Sequence, residues 1–281
     1  MIKYTEIFYS IQGEAKNTGK LCTWLRFFTC NLQCRGFSQL DPSDPSTWVE
    51  QRTIDPTTFK TLQEVPTPNV GCDSDYSWSS KFKHLVEKRT ARELTDNIRN
   101  LIPSKKFGTT VGHCFTGGEP MLQQQAICDI VNHWINDGDY PQWICIETNG
   151  TQKLIPEFIN LVLSTPIQFY FSISPKLLHV SGEQPKKAIK IDCIQEYISL
   201  LPESYLKFVL NHDQRAWDQA QDIVDQVGNQ PEVWVMPLGA VYEQQTDHLV
   251  GKLADKAIFE YQWNVSPRVH VLIWNNDQIG R

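Results

Sequence analysis

The stretch Phe27-Phe28-Thr29-Cys30-Asn31-Leu32-Gln33-Cys34-Arg35-Gly36-Phe37 decides how this chain is read. Its two cysteines are separated by three residues and follow Leu21 to Phe28, a run rich in aromatic and β-branched residues that reads as a strand. Thiolates at this spacing can reach one metal centre from a single loop. We read them as the first two ligands of an iron–sulfur cluster. Half of a structural zinc site, or ordinary thiols, suits the pair taken alone as well. A third ligand is needed, and the position three residues beyond Cys34 holds Phe37.

The surroundings of this loop set bounds. A chain of 281 residues with 41% hydrophobic and 11% aromatic content can bury a sizeable core. Its net charge of -6 argues against a general nucleic-acid or anionic-membrane surface, which needs a basic field. The start, Met-Ile-Lys-Tyr-Thr-Glu, lacks a basic region followed by an apolar one, and no run approaches the length of a membrane span. The expectation is a cytoplasmic protein without direct nucleic-acid or membrane partners. Eight cysteines in that setting do not suggest a disulfide framework. Cys22, Cys114 and Cys145 lie in strand-like runs and read as buried thiols; Cys128 and Cys193 receive no role.

Before the loop, Lys3 to Tyr9 reads as a strand that runs into a polar turn. After it, residues 35–71 lose all periodicity and carry Pro42, Pro45, Pro56, Pro66 and Pro68. They read as a long inserted loop with one short helix near Pro56 to Leu62. From Thr90 onward helices and strands alternate. Thr90 and Glu93 have the spacing of a capping box, and the helix they open stops at Pro103. Strands are expected at Thr109 to Phe115, Trp143 to Ile146, Gln168 to Ile173, Tyr205 to Leu210, Val233 to Met236 and Val269 to Trp274, with helices between them. About six βα units with no linker predict one α/β domain over 1–281: a partial, open βα barrel with a largely parallel sheet.

In such folds the chemistry gathers where strands end. Here the strand ends carry Thr116-Gly117-Gly118-Glu119-Pro120, Glu147-Thr148-Asn149-Gly150, Ser174-Pro175-Lys176 and Pro237-Leu238-Gly239. Each alone is an ordinary turn. Their shared placement on one edge is much less expected by chance.

These motifs together resemble the radical S-adenosylmethionine enzymes, and among them the 7-carboxy-7-deazaguanine synthase family. The family opening Ile-Phe-x-Ser-Ile-Gln-Gly-Glu-Gly matches Ile7 to Glu14, with Ala15 in place of the last glycine. The arginine before the cysteine loop matches Arg26. The family's third cysteine is followed by Asp-Thr, then Tyr and Trp; that tail stands here, displaced, as Cys72-Asp73-Ser74-Asp75-Tyr76-Ser77-Trp78. The resemblance therefore implies Cys72 as the third ligand, with 35–71 inserted between ligands two and three. Loop-closure entropy rises slowly with length, so such an insertion is tolerable.

The resemblance implies the rest of the site as well. Cys30, Cys34 and Cys72 bind a 4Fe-4S cluster whose fourth iron is open to S-adenosyl-L-methionine. Gly117, Gly118 and Glu119 hold the amino group of that cofactor, and Thr148, Asn149, Ser174 and Lys176 surround its adenosine and carboxylate. Gln12, Gly13, Glu14, Arg26 and His270 meet the substrate, Arg26 as the partner of its carboxylate. Ser74 replaces the family threonine as a ligand to Mg2+. The implied reaction is a carbon–nitrogen lyase ring contraction of 6-carboxy-5,6,7,8-tetrahydropterin to 7-carboxy-7-deazaguanine with loss of ammonia, within queuosine-type deazapurine synthesis. An electron donor such as a flavodoxin and a homodimer are implied likewise. Two other readings stay open at this point: a different radical activity, such as a glycyl-radical activase, and a scaffold stapled by zinc on the three cysteines with a histidine such as His84.

Overall fold

The strands before Thr90 and those of the alternation after it join one sheet. The computed structural model describes residues 1–228 and 231–275. Its strands are β1 (Ile2–Ile11), β2 (Leu21–Phe27), β3 (Glu87–Arg89), β4 (Gly112–Gly117), β5 (Trp143–Thr148), β6 (Gln168–Ile173), β7 (Tyr205–Leu210), β8 (Glu232–Pro237) and β9 (Asn264–Val265). They form a nine-stranded sheet in the order β3-β1-β2-β4-β5-β6-β7-β8-β9. β1 runs antiparallel to both β2 and β3, and every pair from β2 onward is parallel.

The helices are α1 (Ala91–Leu101), α2 (Gln124–Asn136), α3 (Pro156–Ser164), α4 (Leu178–Ser181), α5 (Pro185–Ala188), α6 (Ile191–Leu200), α7 (Gln214–Val227), α8 (Tyr242–Gln245), α9 (His248–Phe259) and α10 (Val269–Trp274). The capping box at α1 forms: Thr90 Oγ1 accepts from Glu93 N–H while the Glu93 carboxylate accepts from Thr90 N–H at 2.7 Å. Parallel crossovers are right-handed, and here each one advances the sheet in the same direction. That combination places the helices on one face. The main core joins helix residues such as Ile127, Trp134 and Trp217 to Phe115, Ile146 and Phe208 of the strands. The opposite face carries a second cluster with no helical member: Cys22, Trp24, Cys114, Trp143, Cys145, Tyr170 and Tyr205, with Ala15. The end strands β3 and β9 do not meet, so the sheet is open.

Three expected elements differ. Val269 to Trp274 is a helix, not a strand. Val269, Val271 and Ile273 alternate like a strand, yet Val271 is buried while Ile273 is 55% exposed, and Leu272 N–H bonds back to Arg268 O. β9 already takes the sheet edge, so the chain turns back and Val269 N–H bonds Gly13 O. The strand expected from Thr109 begins at Gly112, after a turn through Thr109 and Thr110. In place of one helix near Pro56 to Leu62 there are two 3-10 turns, Pro56–Thr58 and Leu62–Glu64. The inserted segment is ordered by a small core shared with the chain that follows it, in which Leu62 and Val65 meet Tyr76 and Phe82.

Candidate active site

Because side chains alternate along a strand, the residues two beyond the inner-face cluster also point inward. Beyond Trp24 comes Arg26, beyond Cys114 Thr116, beyond Cys145 Glu147, beyond Tyr170 Ser172 and beyond Tyr205 Lys207. Apolar side chains thus make a floor, and one step along the strands it gives way to polar and charged groups. These open into a cavity of about 280 Å³, near the small end of ligand pockets. Cys30, Cys34 and Cys72 all line it. So do Gln12, Glu14, Arg26, Ser74, Gly117, Gly118, Thr148, Asn149, Ser174, Lys176 and His270.

The strand ends hold the cysteine loop. Glu119 N–H donates to Thr29 O at 2.8 Å and Gly118 N–H to Phe27 O at 3.3 Å. A Cβ on Gly118 would fall 2.2 Å from Thr29 O and 2.7 Å from Cys30 Cβ, so only glycine lets the end of β4 close on the loop. The Glu183 carboxylate accepts from Gln33 N–H at 2.6 Å and Cys34 N–H at 2.8 Å. Cys72 comes from the far end of the insertion, with its Sγ 3.5 Å from Ser74 Oγ. Ser77 O accepts Thr29 N–H at 2.9 Å, which ties this arm to the first loop.

Burial pushes the Cys30 thiol up to about 12, with Glu119 adding to it, and raises Cys34 and Cys72 as well. Such thiols keep their protons at neutral pH until a metal displaces them. Among the described residues no three His, Cys, Asp or Glu side chains gather around a point that a single ion could fill. Three thiols that line one cavity and share one small cluster with Leu32 and Ala188 are a soft donor set of the kind that holds iron–sulfur clusters. His84 lies outside the cavity, with Nε2 against Phe59 O at 2.8 Å.

A chain of opposite charges crosses the pocket. Asp73 pairs with Arg268 at 3.0 Å, Arg268 with Glu14 at 3.0 Å, and Glu14 with Lys207, which stands 3.9 Å from Glu147. Burial alone would raise the Glu14 carboxyl, but Lys207 and Arg268 outweigh it and hold it far below the usual range. Arg26 Nε donates to Glu6 at 2.6 Å, and Tyr76 OH reaches the same oxygen at 2.9 Å. Burial, with Arg268 next to it, lowers His270 to about 4, so its ring is neutral at pH 7.

Two of the residues singled out in the sequence do not line the cavity. Glu119 is fully buried and accepts from Thr148 Oγ1, Asn149 N–H and Met121 N–H, so it fixes the Thr148-Asn149 turn. Gly13 lies behind His270: a Cβ there would stand 2.0 Å from the ring Nδ1. Gln12 lines the cavity, but its amide is engaged by Glu14 N–H and Cys114 Sγ. Glu6, Glu147, Lys207, Arg268, Asp73 and Tyr76 line the cavity too and were assigned no role from sequence. The inner-face parity of β5 and β7 is the signal that finds Glu147 and Lys207.

An open, mostly parallel βα sheet with a cysteine loop after its first parallel strand is the radical S-adenosylmethionine type of fold. Over 96% of its length the chain superposes on QueE from Escherichia coli, covering 94% of that structure with a TM-score of 0.54 at 16% identity. No family model matches the chain. It is 26% identical over 274 residues to the 7-carboxy-7-deazaguanine synthase of Thermoplasma acidophilum, covering 97% of each chain. It is 22% identical over 277 residues to that of Pyrobaculum aerophilum, covering 98% of this chain and 96% of the relative. The chain therefore resembles 7-carboxy-7-deazaguanine synthases from end to end.

Proposed function

We infer that this chain is a radical S-adenosylmethionine carbon–nitrogen lyase that contracts 6-carboxy-5,6,7,8-tetrahydropterin to 7-carboxy-7-deazaguanine with loss of ammonia. The observation that carries the reading is the meeting of Cys30, Cys34 and Cys72 in one cavity whose other walls alternate positive and negative charge. Cys30, Cys34 and Cys72 would hold the 4Fe-4S cluster. Gly117, Gly118, Thr148, Asn149, Ser174 and Lys176 would seat S-adenosylmethionine. When bound, cluster and cofactor supply the hydrogen-abstracting radical.

The chain's own residues bind and orient. Arg26, anchored through Nε by Glu6, turns its guanidinium to the cavity as the partner for a substrate carboxylate. Glu14, kept ionised by Lys207 and Arg268, accepts N–H groups from the pterin edge. Gln12 acts through Glu14, whose backbone N–H it fixes. His270 faces the substrate as a neutral ring. Ser74 would offer its hydroxyl as a ligand to Mg2+. Glu119 serves the cofactor seat by holding Thr148 and Asn149.

Residues 1–281 act as one domain with the insertion at 35–71 folded onto it. An electron donor such as a flavodoxin, a homodimer and a cytoplasmic setting complete the proposal and rest on the likeness to relatives. Among the described residues no helix is long and apolar enough to cross a membrane.

The test is anaerobic incubation of the reconstituted protein with S-adenosylmethionine, reductant, Mg2+ and 6-carboxytetrahydropterin, read by mass spectrometry. The deazaguanine acid is expected. Cluster-loaded protein that cleaves S-adenosylmethionine yet leaves the pterin intact would overturn the substrate assignment.

A further inference from the structure

The insertion holds a buried device that the motif does not contain. Gln51 Nε2 donates to Cys72 O at 2.7 Å, and the same carbonyl accepts Asp75 N–H at 3.3 Å. The next residue, Arg52, grips the other end of that turn with a two-pronged pair: Nε to Asp75 Oδ2 at 2.7 Å and Nη2 to Oδ1 at 2.6 Å. Its third nitrogen position, Nη1, donates to Pro66 O at 2.8 Å, and Pro66 lines the cavity. The guanidinium lies 5.2 Å from the Phe82 ring centre, and both charged side chains are over nine-tenths buried.

We propose that Arg52, assisted by Gln51, is the positioning residue that sets Cys72 against Cys30 and Cys34 and fixes the adjoining cavity wall, an inference that rests on the cluster reading above. When the insertion separates the third thiol from the first two, chain connectivity no longer places it. A rigid fork on Asp75 and an amide on the Cys72 carbonyl replace connectivity with long-range hydrogen bonds. The placement is passed on to the first loop, because the same arm presents Ser77 O to Thr29 N–H, one residue before Cys30. One guanidinium thus bears on both the third thiol and the Pro66 wall.

Removing Arg52 alone would strand a buried carboxylate, so the informative variant removes both charges, Arg52→Met with Asp75→Asn. Arg52→Lys keeps the charge and loses the fork, and Gln51→Ala removes the second grip. Circular dichroism identifies the variants that fold. In the cluster-free full chain, alkylation by iodoacetamide followed by mass spectrometry reads each thiol separately. Cys72 is expected to react about tenfold faster in the double variant than in wild type, with Cys30 and Cys34 changed less and Arg52→Lys intermediate. After anaerobic reconstitution the double variant should carry less iron per chain, with an altered electron paramagnetic resonance signal. Wild-type Cys72 reactivity, iron content and signal in the folded variants would overturn the proposal. If the double variant does not fold, the alkylation pattern of Arg52→Lys and Gln51→Ala decides in the same way. A wild-type chain that takes up no iron would strike the cluster reading instead, while the alkylation contrast would still decide the role of Arg52.

Discussion

The Cys30–Cys34 loop and the Cys72 arm bring three thiols to one cavity, but different parts of the molecule hold them. The first loop is tied to the sheet: Phe27 O and Thr29 O receive the end of β4, and Glu183, just beyond α4, caps Gln33 and Cys34. The Cys72 arm meets the first loop through Ser77 O, β1 through the Tyr76 hydroxyl on Glu6 and the C-terminal segment through Arg268, and the insertion grips it through Gln51 and Arg52. A motif can be split when closing the longer loop adds little entropy, provided that new contacts supply the register which connectivity gave up.

The largest expected effect strikes the first loop alone. Gly118→Ala drives a Cβ into Thr29 O, a backbone atom with no easy retreat, and should abolish cluster binding and turnover while α1 to α9 stay folded. Iron content and circular dichroism on one sample check this. Next comes the arm. Arg268→Met strips Asp73 of its partner and leaves Glu14 with Lys207 only, so a loss of about 3 kcal/mol in urea unfolding is expected. Glu183→Ala frees two loop N–H groups and should cost about 1–3 kcal/mol. It should raise the alkylation rate of Cys34 more than that of Cys72. Equal effects on both thiols would dissolve the distinction between the two halves.

The last effect, small just below neutral pH, is a pH dependence set by two histidines outside both halves. Burial lowers His113 to about 3, and burial with Arg268 lowers His270 to about 4. Both rings are neutral when folded and take up protons near pH 6.5 when unfolded. The unfolded chain therefore binds more protons between these values, and stability falls as pH drops from about 6.5 toward 4. The urea midpoint should shift downward across that window. His113→Gln should flatten the shift in part, since its ring meets Thr23 Oγ1 at 2.8 Å in the core.

The same contrast marks how far the sequence could be read. The order of strands and helices from Thr90 was legible, because caps and periodicity are local signals. The place of Cys72 on the cavity was legible because Asp73, Tyr76 and Trp78 follow it as in the motif. Glu183 and Arg52 were not legible, since they lie 149 and 23 residues from the groups they hold. Val269 to Trp274 misled because three alternating apolar residues suit a strand, and only the filled sheet edge makes the segment a helix. Glu147 and Lys207 could have been found by counting inward-facing positions from Cys145 and Tyr205.

Iron content of the anaerobically reconstituted chain, measured beside Cys72→Ala and with Cys128→Ala as a buried-thiol control, tests the split site most directly. The account predicts about four irons per chain for wild type and for Cys128→Ala, and loss of the cluster in Cys72→Ala. A full cluster in Cys72→Ala that still cleaves S-adenosylmethionine would contradict it.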